Sequence, residues 1–183
     1  FINTSRGSDA DNAALNKLLS TRSDLSVVLA VWEGEPAINT ELLPRIDIGT
    51  PHIAGYSLDG KLRGTEMIYQ SACEYFGQPG QWRVSDNLPA GAVVDVAAPA
   101  GISAAALLQQ AVSRCYDICA DDARLRAMLA LPGDEQAACF DRLRKDYPVR
   151  REFSATTLRL PAGNDTAGQV LGGLGFFVAA QSV

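Results

Sequence analysis

Three side chains in the first third of the chain carry chemistries that complement one another. His52 is the one histidine among 183 residues, and an imidazole with an ordinary pKa of about 6.5 can exchange a proton with a hydroxyl near neutrality. A carboxylate such as Glu35 can hold that ring and stabilise its imidazolium. The guanidinium of Arg6 offers a planar fork for a substrate carboxylate and an adjacent oxygen. Together these groups would equip a site to oxidise an α-hydroxy acid. Each also has a plainer reading: a histidine in a proline-flanked loop can be structural, Glu35 can be a solvated loop charge, and Arg6 can cap a carbonyl.

The elements that must position these residues follow from hydrophobic spacing. Phe1 to Asn3 reads as the end of a buried strand and Thr4 to Gly7 as a turn. Asp11 to Leu19 reads as a helix with an aspartate cap and apolar residues at Leu15, Leu18 and Leu19. Leu25 to Trp32 is almost wholly apolar and β-branched at its centre, as a parallel strand covered on both faces should be. The unit is β-α-β, and Glu33-Gly34-Glu35-Pro36 follows at the carboxyl end of its second strand, where open α/β sheets place ligands. A loop with Pro36, Pro44 and Pro51 leads through Ile46-Asp47-Ile48-Gly49 to His52, whose backbone is restrained by Pro51 and Gly55 on either side. A helix is expected from Leu58 to Phe76, with Leu62, Met67, Ile68 and Tyr69 as its apolar face, stopping at Gly77-Gln78-Pro79-Gly80. Beyond it the pattern predicts a strand at Ala92–Val96 and, after the breakers Pro99 and Gly101, a helix at Ser103–Cys119. Further helices at Asp121–Leu131 and Asp134–Asp146 are divided by Pro132-Gly133. A strand at Ser154–Leu160, a helix at Thr166–Leu171 and a closing strand at Phe176–Ala180 complete a small α+β appendage.

Composition narrows the function classes. With 47% hydrophobic and 20% charged residues the chain has the makeup of a globular domain rather than a disordered one. A net charge of −5 lacks the basic footprint of nucleic-acid binding, so no nucleic-acid partner is expected. The apolar runs Val27–Trp32 and Ala97–Leu108 fall short of the roughly 20 residues that span a bilayer, so no membrane partner is expected either. Cys73, Cys115, Cys119 and Cys139 lack zinc-knuckle spacing. Cys115 and Cys119 would share a face of one helix, but no His or Asp is placed to complete a metal site. Buried thiols in a reducing cytoplasm are the expected reading, with a redox pair or a metal site as alternatives. Phe1 is preceded by neither methionine nor a signal segment, which makes a C-terminal piece of a longer protein the expectation. Arg142, Arg144, Lys145, Arg150 and Arg151 form the one basic cluster, either a solvated helix end or a place from which one arginine reaches a substrate phosphate across a dimer.

Ile2-Asn3-Thr4-Ser5-Arg6-Gly7, then Asp11 and Ala14-Leu15, then Val31-Trp32-Glu33-Gly34-Glu35-Pro36, then Thr50-Pro51-His52-Ile53-Ala54-Gly55 resemble the second half of the NAD-binding domain of D-isomer-specific 2-hydroxyacid dehydrogenases. The run His52-Ile53-Ala54-Gly55-Tyr56-Ser57-Leu58-Asp59-Gly60-Lys61-Leu62-Arg63-Gly64-Thr65, with Phe140–Tyr147, Arg150–Ser154 and Leu174-Gly175-Phe176, is similar to a branch of that family with its own dimerisation domain. The resemblance covers essentially the whole chain. It implies an α/β fold: the C-terminal half of a Rossmann-like NAD-binding domain at 1–57, a helix returning toward a substrate-binding domain and linker at 58–80, and a small α+β dimerisation domain at 81–183. It also implies that Arg6 binds the substrate carboxylate, that His52 is the acid/base and that Glu35 holds His52. Gly55 would lie where backbone approaches NAD, and Tyr56 would contact a small phosphorylated hydroxy acid. The expected protein is a cytoplasmic homodimeric NAD-dependent oxidoreductase without a metal. Alternatives are a dehydrogenase for another 2-hydroxy acid and a non-catalytic NAD-sensing interaction protein.

Two departures from the family pattern matter. Leu29-Ala30-Val31-Trp32 stands where the family reads Leu-Asp-Val-Trp, so Ala30 replaces the cofactor-binding aspartate expected near the nicotinamide carboxamide. No G-x-G-x-x-G loop follows a strand, and Gly172-Gly173-Leu174-Gly175 has the spacing of a turn. The pyrophosphate-binding half is therefore expected before Phe1, and these residues alone are expected to be inactive.

Overall fold

A computed structural model describes residues 1–97 and 102–180; Pro99 and Gly101 lie outside the described residues. The chain divides into two compact units, one formed by Phe1–Ala54 and Ile118–Pro148, the other by Gly55–Asp117 and the residues from Val149 onward.

In the first unit, β1 (Ile2–Asn3) is followed by α1 (Asn12–Leu19), which begins where the Asp11 side chain accepts the Ala14 N–H at 2.8 Å, the expected aspartate cap. β2 (Val28–Leu29) and β3 (Ile48–Gly49) complete a parallel sheet in the order β1-β2-β3, with Asn3 opposite Leu29 and Leu29 opposite Gly49. The strand expected over Leu25–Trp32 is apolar throughout, but only two residues pair on each side because both neighbouring strands are that short. Val27, Leu29, Val31 and Trp32 are nevertheless buried, as the apolar run requires.

The cover of this sheet comes from further along the sequence than its order suggests. Leu125 of α4 (Ile118–Ala127), Met128 and Phe140 of α5 (Gly133–Lys145) pack into one core with Leu15, Val27, Leu29, Trp32, Leu42, Leu43 and Ile46. Residues 118–148 thus bury their apolar face in the first unit. Full burial of side chains such as Leu125 and Phe140 contributes about 1.5–3 kcal/mol each.

The second unit opens with α2 (Leu58–Tyr75), where Ser57 Oγ accepts the Gly60 N–H at 3.1 Å. The helix ends at Phe76, and Gly77 adopts φ 63°, a left-handed stop that glycine favours. Its expected apolar face is not buried: Met67 is 66% and Ile68 74% exposed, and the buried residue of α2 is Asp59. β4 (Ala92–Asp95), α3 (Ala104–Cys115), β5 (Thr156–Leu160), α6 (Asp165–Gly173) and β6 (Phe177–Ala180) form a second parallel sheet in the order β4-β5-β6. Its core joins Val96, Leu158 and Leu160 to Leu107 and Ala111 of α3 and Ala167 and Leu171 of α6. Both sheets are thus parallel and helix-connected, an α/β arrangement where the second was expected to be α+β.

The helix expected over Ser103–Cys119 breaks at Tyr116, which is extended (φ −149°, ψ 113°). Cys115 ends α3 and Cys119 lies in α4, so the two do not share a helix face. All four cysteines are free; Cys119 is exposed and the other three are half-buried, where fully buried thiols were expected. No helix among the described residues is long and apolar enough to cross a membrane.

Candidate functional site

The carboxyl ends of β1, β2 and β3 carry the three expected residues on three successive loops. Glu35 and His52 meet: His52 Nδ1 lies 2.8 Å from Glu35 Oε2, with side-chain exposures of 33% and 17%. The other Glu35 oxygen, Oε1, accepts the Trp32 N–H at 2.8 Å, so the carboxylate is anchored to its own loop before it meets the imidazole. An ionised carboxylate only accepts hydrogen bonds, which places the shared proton on Nδ1 and leaves Nε2 as the basic nitrogen.

His52 is held in an uncommon backbone conformation. Its φ of 54° makes it the one non-glycine residue with positive φ among the described residues, a region that L-residues enter only when the surroundings impose it. Its N–H donates to the carbonyls of Ala30 and Thr50, both at 3.0 Å. The Thr50 carbonyl also accepts the indole N–H of buried Trp32 at 2.9 Å. Trp32 thus links the loop that bears Glu35 to the loop that bears His52.

Arg6 is exposed on the loop after β1 and donates to the Ser5 carbonyl at 2.8 Å, not to Glu35 or His52. The loop that presents it is shaped by residues whose roles spacing does not reveal. The buried Asn3 side chain donates to the Arg6 carbonyl at 3.0 Å and accepts the Ser5 N–H at 3.1 Å. A Cβ on Gly7 would collide with the Trp32 carbonyl, so only glycine lets the Arg6 loop lie against the Trp32–Glu35 loop. Asn12 and Glu33 exchange two bonds, Asn12 N–H to Glu33 Oε2 at 3.0 Å and Glu33 N–H to Asn12 Oδ1 at 3.1 Å. Asn3 and Asn12 were detectable only as polar residues flanking short apolar segments, a weak signal.

Ala30 is half-buried, and its main chain is engaged on both sides, its N–H to Asn3 and its carbonyl from His52. Its methyl offers no hydrogen bond. Gly55 and Tyr56 begin the second unit. Gly55 is exposed with open space where a side chain would stand, and the Tyr56 ring carries Lys61 Nζ at 4.2 Å from its centre.

The basic cluster divides. Arg151 is committed within the second unit: Nε and Nη2 donate to the two Asp59 oxygens at 2.9 and 3.0 Å, and Nη1 to the Pro89 carbonyl at 2.7 Å. Asp59 also accepts the Glu152 N–H at 2.9 Å. Burial tends to raise the Asp59 carboxyl, but the Arg151 bonds, the Glu152 N–H and the Arg151 charge outweigh it and hold Asp59 below the usual carboxylate range. Ser57 Oγ donates to Glu152, and the Leu58 N–H donates to the Arg150 carbonyl at 2.8 Å. This clamp fixes the first turn of α2, immediately after Tyr56. The Arg150 guanidinium lies 4.7 Å from the Tyr116 ring centre. A phosphate-binding role for Arg151 would require breaking its ion pair.

A parallel sheet with a histidine and a carboxylate paired at its carboxyl edge makes this an α/β protein with a candidate site where such sheets place ligands. Residues 87–175 match the family model described as a domain of unknown function (DUF3410). Over nearly its whole length the chain is similar to proteins named erythronate-4-phosphate dehydrogenase. It is 47% identical to that of Ectopseudomonas mendocina (strain ymp) over 87% of this chain and 43% of the relative. It is 43% identical to that of Marinobacter nauticus over 96% of this chain and 46% of the relative. It is 47% identical to that of Cellvibrio japonicus over 96% of this chain and 47% of the relative. The resemblance read from the motifs is borne out, and the chain spans a little under half the length of the curated relatives it matches.

Proposed function

We propose that the complete polypeptide containing this chain is an NAD-dependent 4-phosphoerythronate dehydrogenase. It would oxidise the 2-hydroxyl of 4-phospho-D-erythronate to a 2-oxo acid on the route to pyridoxal phosphate. The observation that carries this reading is the 2.8 Å Glu35–His52 pair at the carboxyl edge of a parallel sheet, in a chain similar to proteins of that name.

His52 Nε2 takes the proton of the 2-hydroxyl while Nδ1–H remains on Glu35, whose charge stabilises the imidazolium as it forms. Arg6 binds the substrate carboxylate and polarises the oxygen at C2; in the reverse direction His52 returns the proton. NAD, when bound, supplies the acceptor for the hydride of C2. Of the residues that the resemblance assigns to the cofactor, Gly55 has open space where a side chain would stand, and Ala30 offers the carboxamide no hydrogen bond. Tyr56 is the residue that the resemblance assigns to substrate contact.

Residues 1–57 act as the second half of the Rossmann-like domain, 58–80 as the helix returning toward the substrate-binding domain, and 81–183 contain the dimerisation region. Val93 and Phe177, 54% and 65% exposed, stand in register on either side of Thr157 and favour a second copy as the occupant of that sheet face. The four free cysteines fit a reducing cytoplasm. Ala30 favours a non-catalytic NAD sensor as the second reading.

The test is reduced-cofactor formation by the complete polypeptide with 4-phospho-D-erythronate. His52→Ala should lower kcat by roughly 10²–10⁴-fold. Wild-type activity no greater than that of His52→Ala refutes the catalytic reading.

A further inference from the structure

We infer that Asp122 and Arg126 of α4 are positioning residues for His52. β3 is the edge strand of the first sheet, and an edge leaves backbone groups without a strand partner. While the Asp47 and Thr50 N–H groups donate to the Val27 and Leu29 carbonyls, each at 2.9 Å, the Gly49 N–H between them faces the other way and donates to Asp122 Oδ1 at 2.7 Å. Asp122 Oδ2 receives Arg126 Nε at 2.7 Å. The rest of the Arg126 fork closes the loop leading into β3: Nη1 donates to the Leu43 carbonyl at 2.8 Å and Nη2 to the Ile46 carbonyl at 2.9 Å. One ion pair on one helix therefore holds both the loop before β3 and the last residue of β3.

That residue is three positions from His52. Between them Thr50 presents the carbonyl that receives both Trp32 Nε1 and the His52 N–H, and Pro51 restricts rotation. His52 needs a rigid frame, since its positive φ persists only where the surroundings over-determine it. α4 is itself anchored independently of Asp122. Buried Asp121 pairs with Arg124 and accepts the Tyr147 hydroxyl at 2.8 Å, and Leu125 is fully buried in the core. A change at Asp122 therefore acts on the β3 edge while the helix keeps its other attachments.

The inference rests on the dehydrogenase reading for its kinetic consequence but not for its geometry, and the experiment separates the two. In the complete polypeptide, Asp122→Asn and the conservative Arg126→Lys are compared with wild type and with Glu35→Gln. Steady-state kinetics are measured together with the ¹⁵N signals of the His52 ring, assigned by their loss in His52→Ala. Misplacing a catalytic group by a fraction of an ångström lowers the chemical step more than binding, so kcat should fall about tenfold with KM within about twofold. The ring pattern should move toward that of Glu35→Gln. A lower melting temperature with wild-type kcat and a wild-type ring pattern in both variants overturns the inference, because the pair would then only staple α4 to the sheet. A complete wild-type chain without activity refutes the dehydrogenase reading instead, and the ring pattern alone then decides the role of Asp122 and Arg126.

Discussion

Replacing Arg151 with alanine should loosen the start of α2 in a way that depends on pH. The Asp59 side chain is 6% exposed and accepts three hydrogen bonds, two from Arg151 and one from the Glu152 N–H. Without Arg151 a buried carboxylate keeps only the Glu152 N–H. Breaking a fully buried pair costs about 3–5 kcal/mol; since the Arg151 side chain is itself 22% exposed and water can enter the vacated space, about 2–3 kcal/mol is the appropriate magnitude at pH 7. At about 1.4 kcal/mol per factor of ten, this corresponds to a fall of about 30- to 150-fold in hydrogen-exchange protection. Peptides covering the first turn of α2 and residues 150–153 would report it. The sign with pH follows from the depressed Asp59 pKa. The stabilisation from the pair is fully present above the unfolded carboxyl value of about 3.9 and is lost as pH falls through the lower folded value. In the variant, burial, which raises the Asp59 carboxyl, is opposed only by the Glu152 N–H and the backbone of Asp59 itself, so the group neutralises at a higher pH than in the wild type and then ceases to be a buried charge. The difference between wild type and Arg151→Ala should therefore be largest at pH 7 and shrink by pH 3.5, each referred to intrinsic exchange rates at that pH. A loss of protection below threefold at pH 7, or an equal loss at both pH values, refutes the buried-pair reasoning.

Glu35→Gln in the complete polypeptide should lower kcat by about 10- to 100-fold with little change in KM, since the charged bond to His52 is worth about 1.5–3 kcal/mol and strengthens as the imidazolium forms; steady-state kinetics check this. Ala30→Asp in the complete polypeptide, which introduces the residue that the resemblance leads one to expect there, should tighten NAD binding by about tenfold through one added hydrogen bond, as read by calorimetric titration. Cys119, exposed, should react with a maleimide at pH 8 about tenfold faster than Cys115, because burial pushes the Cys115 thiol up and the Thr156 hydrogen bond only partly offsets it; peptide mapping of the labelled chain resolves the two.

Local signals read true where one residue decides the outcome. Asp11 capping α1, Gly77 ending α2 and the apolar run around Leu29 each act within a few residues, and each is where spacing places it. Glu35 and His52 were legible because both sit just beyond strands of a parallel sheet, which directs their loops to one edge. The break at Tyr116 was hard to read, since neither Gly nor Pro marks it and the one hint is Asp117, a residue type favoured where a new helix begins. Nor could α2 be read as exposed: the spacing of Leu62, Met67, Ile68 and Tyr69 describes a face suited to burial and contains nothing about what covers it. The same limit hid the partner of the first sheet, because the apolar stripe of α4 and α5 fits any sheet of the right size.

What spacing could not convey is how far the site depends on residues that do no chemistry. The Glu35–His52 pair is assembled from two loops, and each loop is held by bonds from elsewhere. The Trp32 indole holds the Thr50 carbonyl, Asn12 and Glu33 hold the loop before Glu35, and Asp122 with Arg126 holds the edge before His52. These bonds are to backbone groups, so they leave no signature in residue type at the positions they fix. An i,i+4 Asp–Arg pair such as Asp122–Arg126 is ordinary on a helix surface. It acquires a role only because Leu125, one position before Arg126, buries in the first core and brings the pair against the N–H of Gly49 that β2 does not bond. Packing of an apolar side chain thus sets where a polar pair acts, and the polar pair in turn sets where the histidine stands.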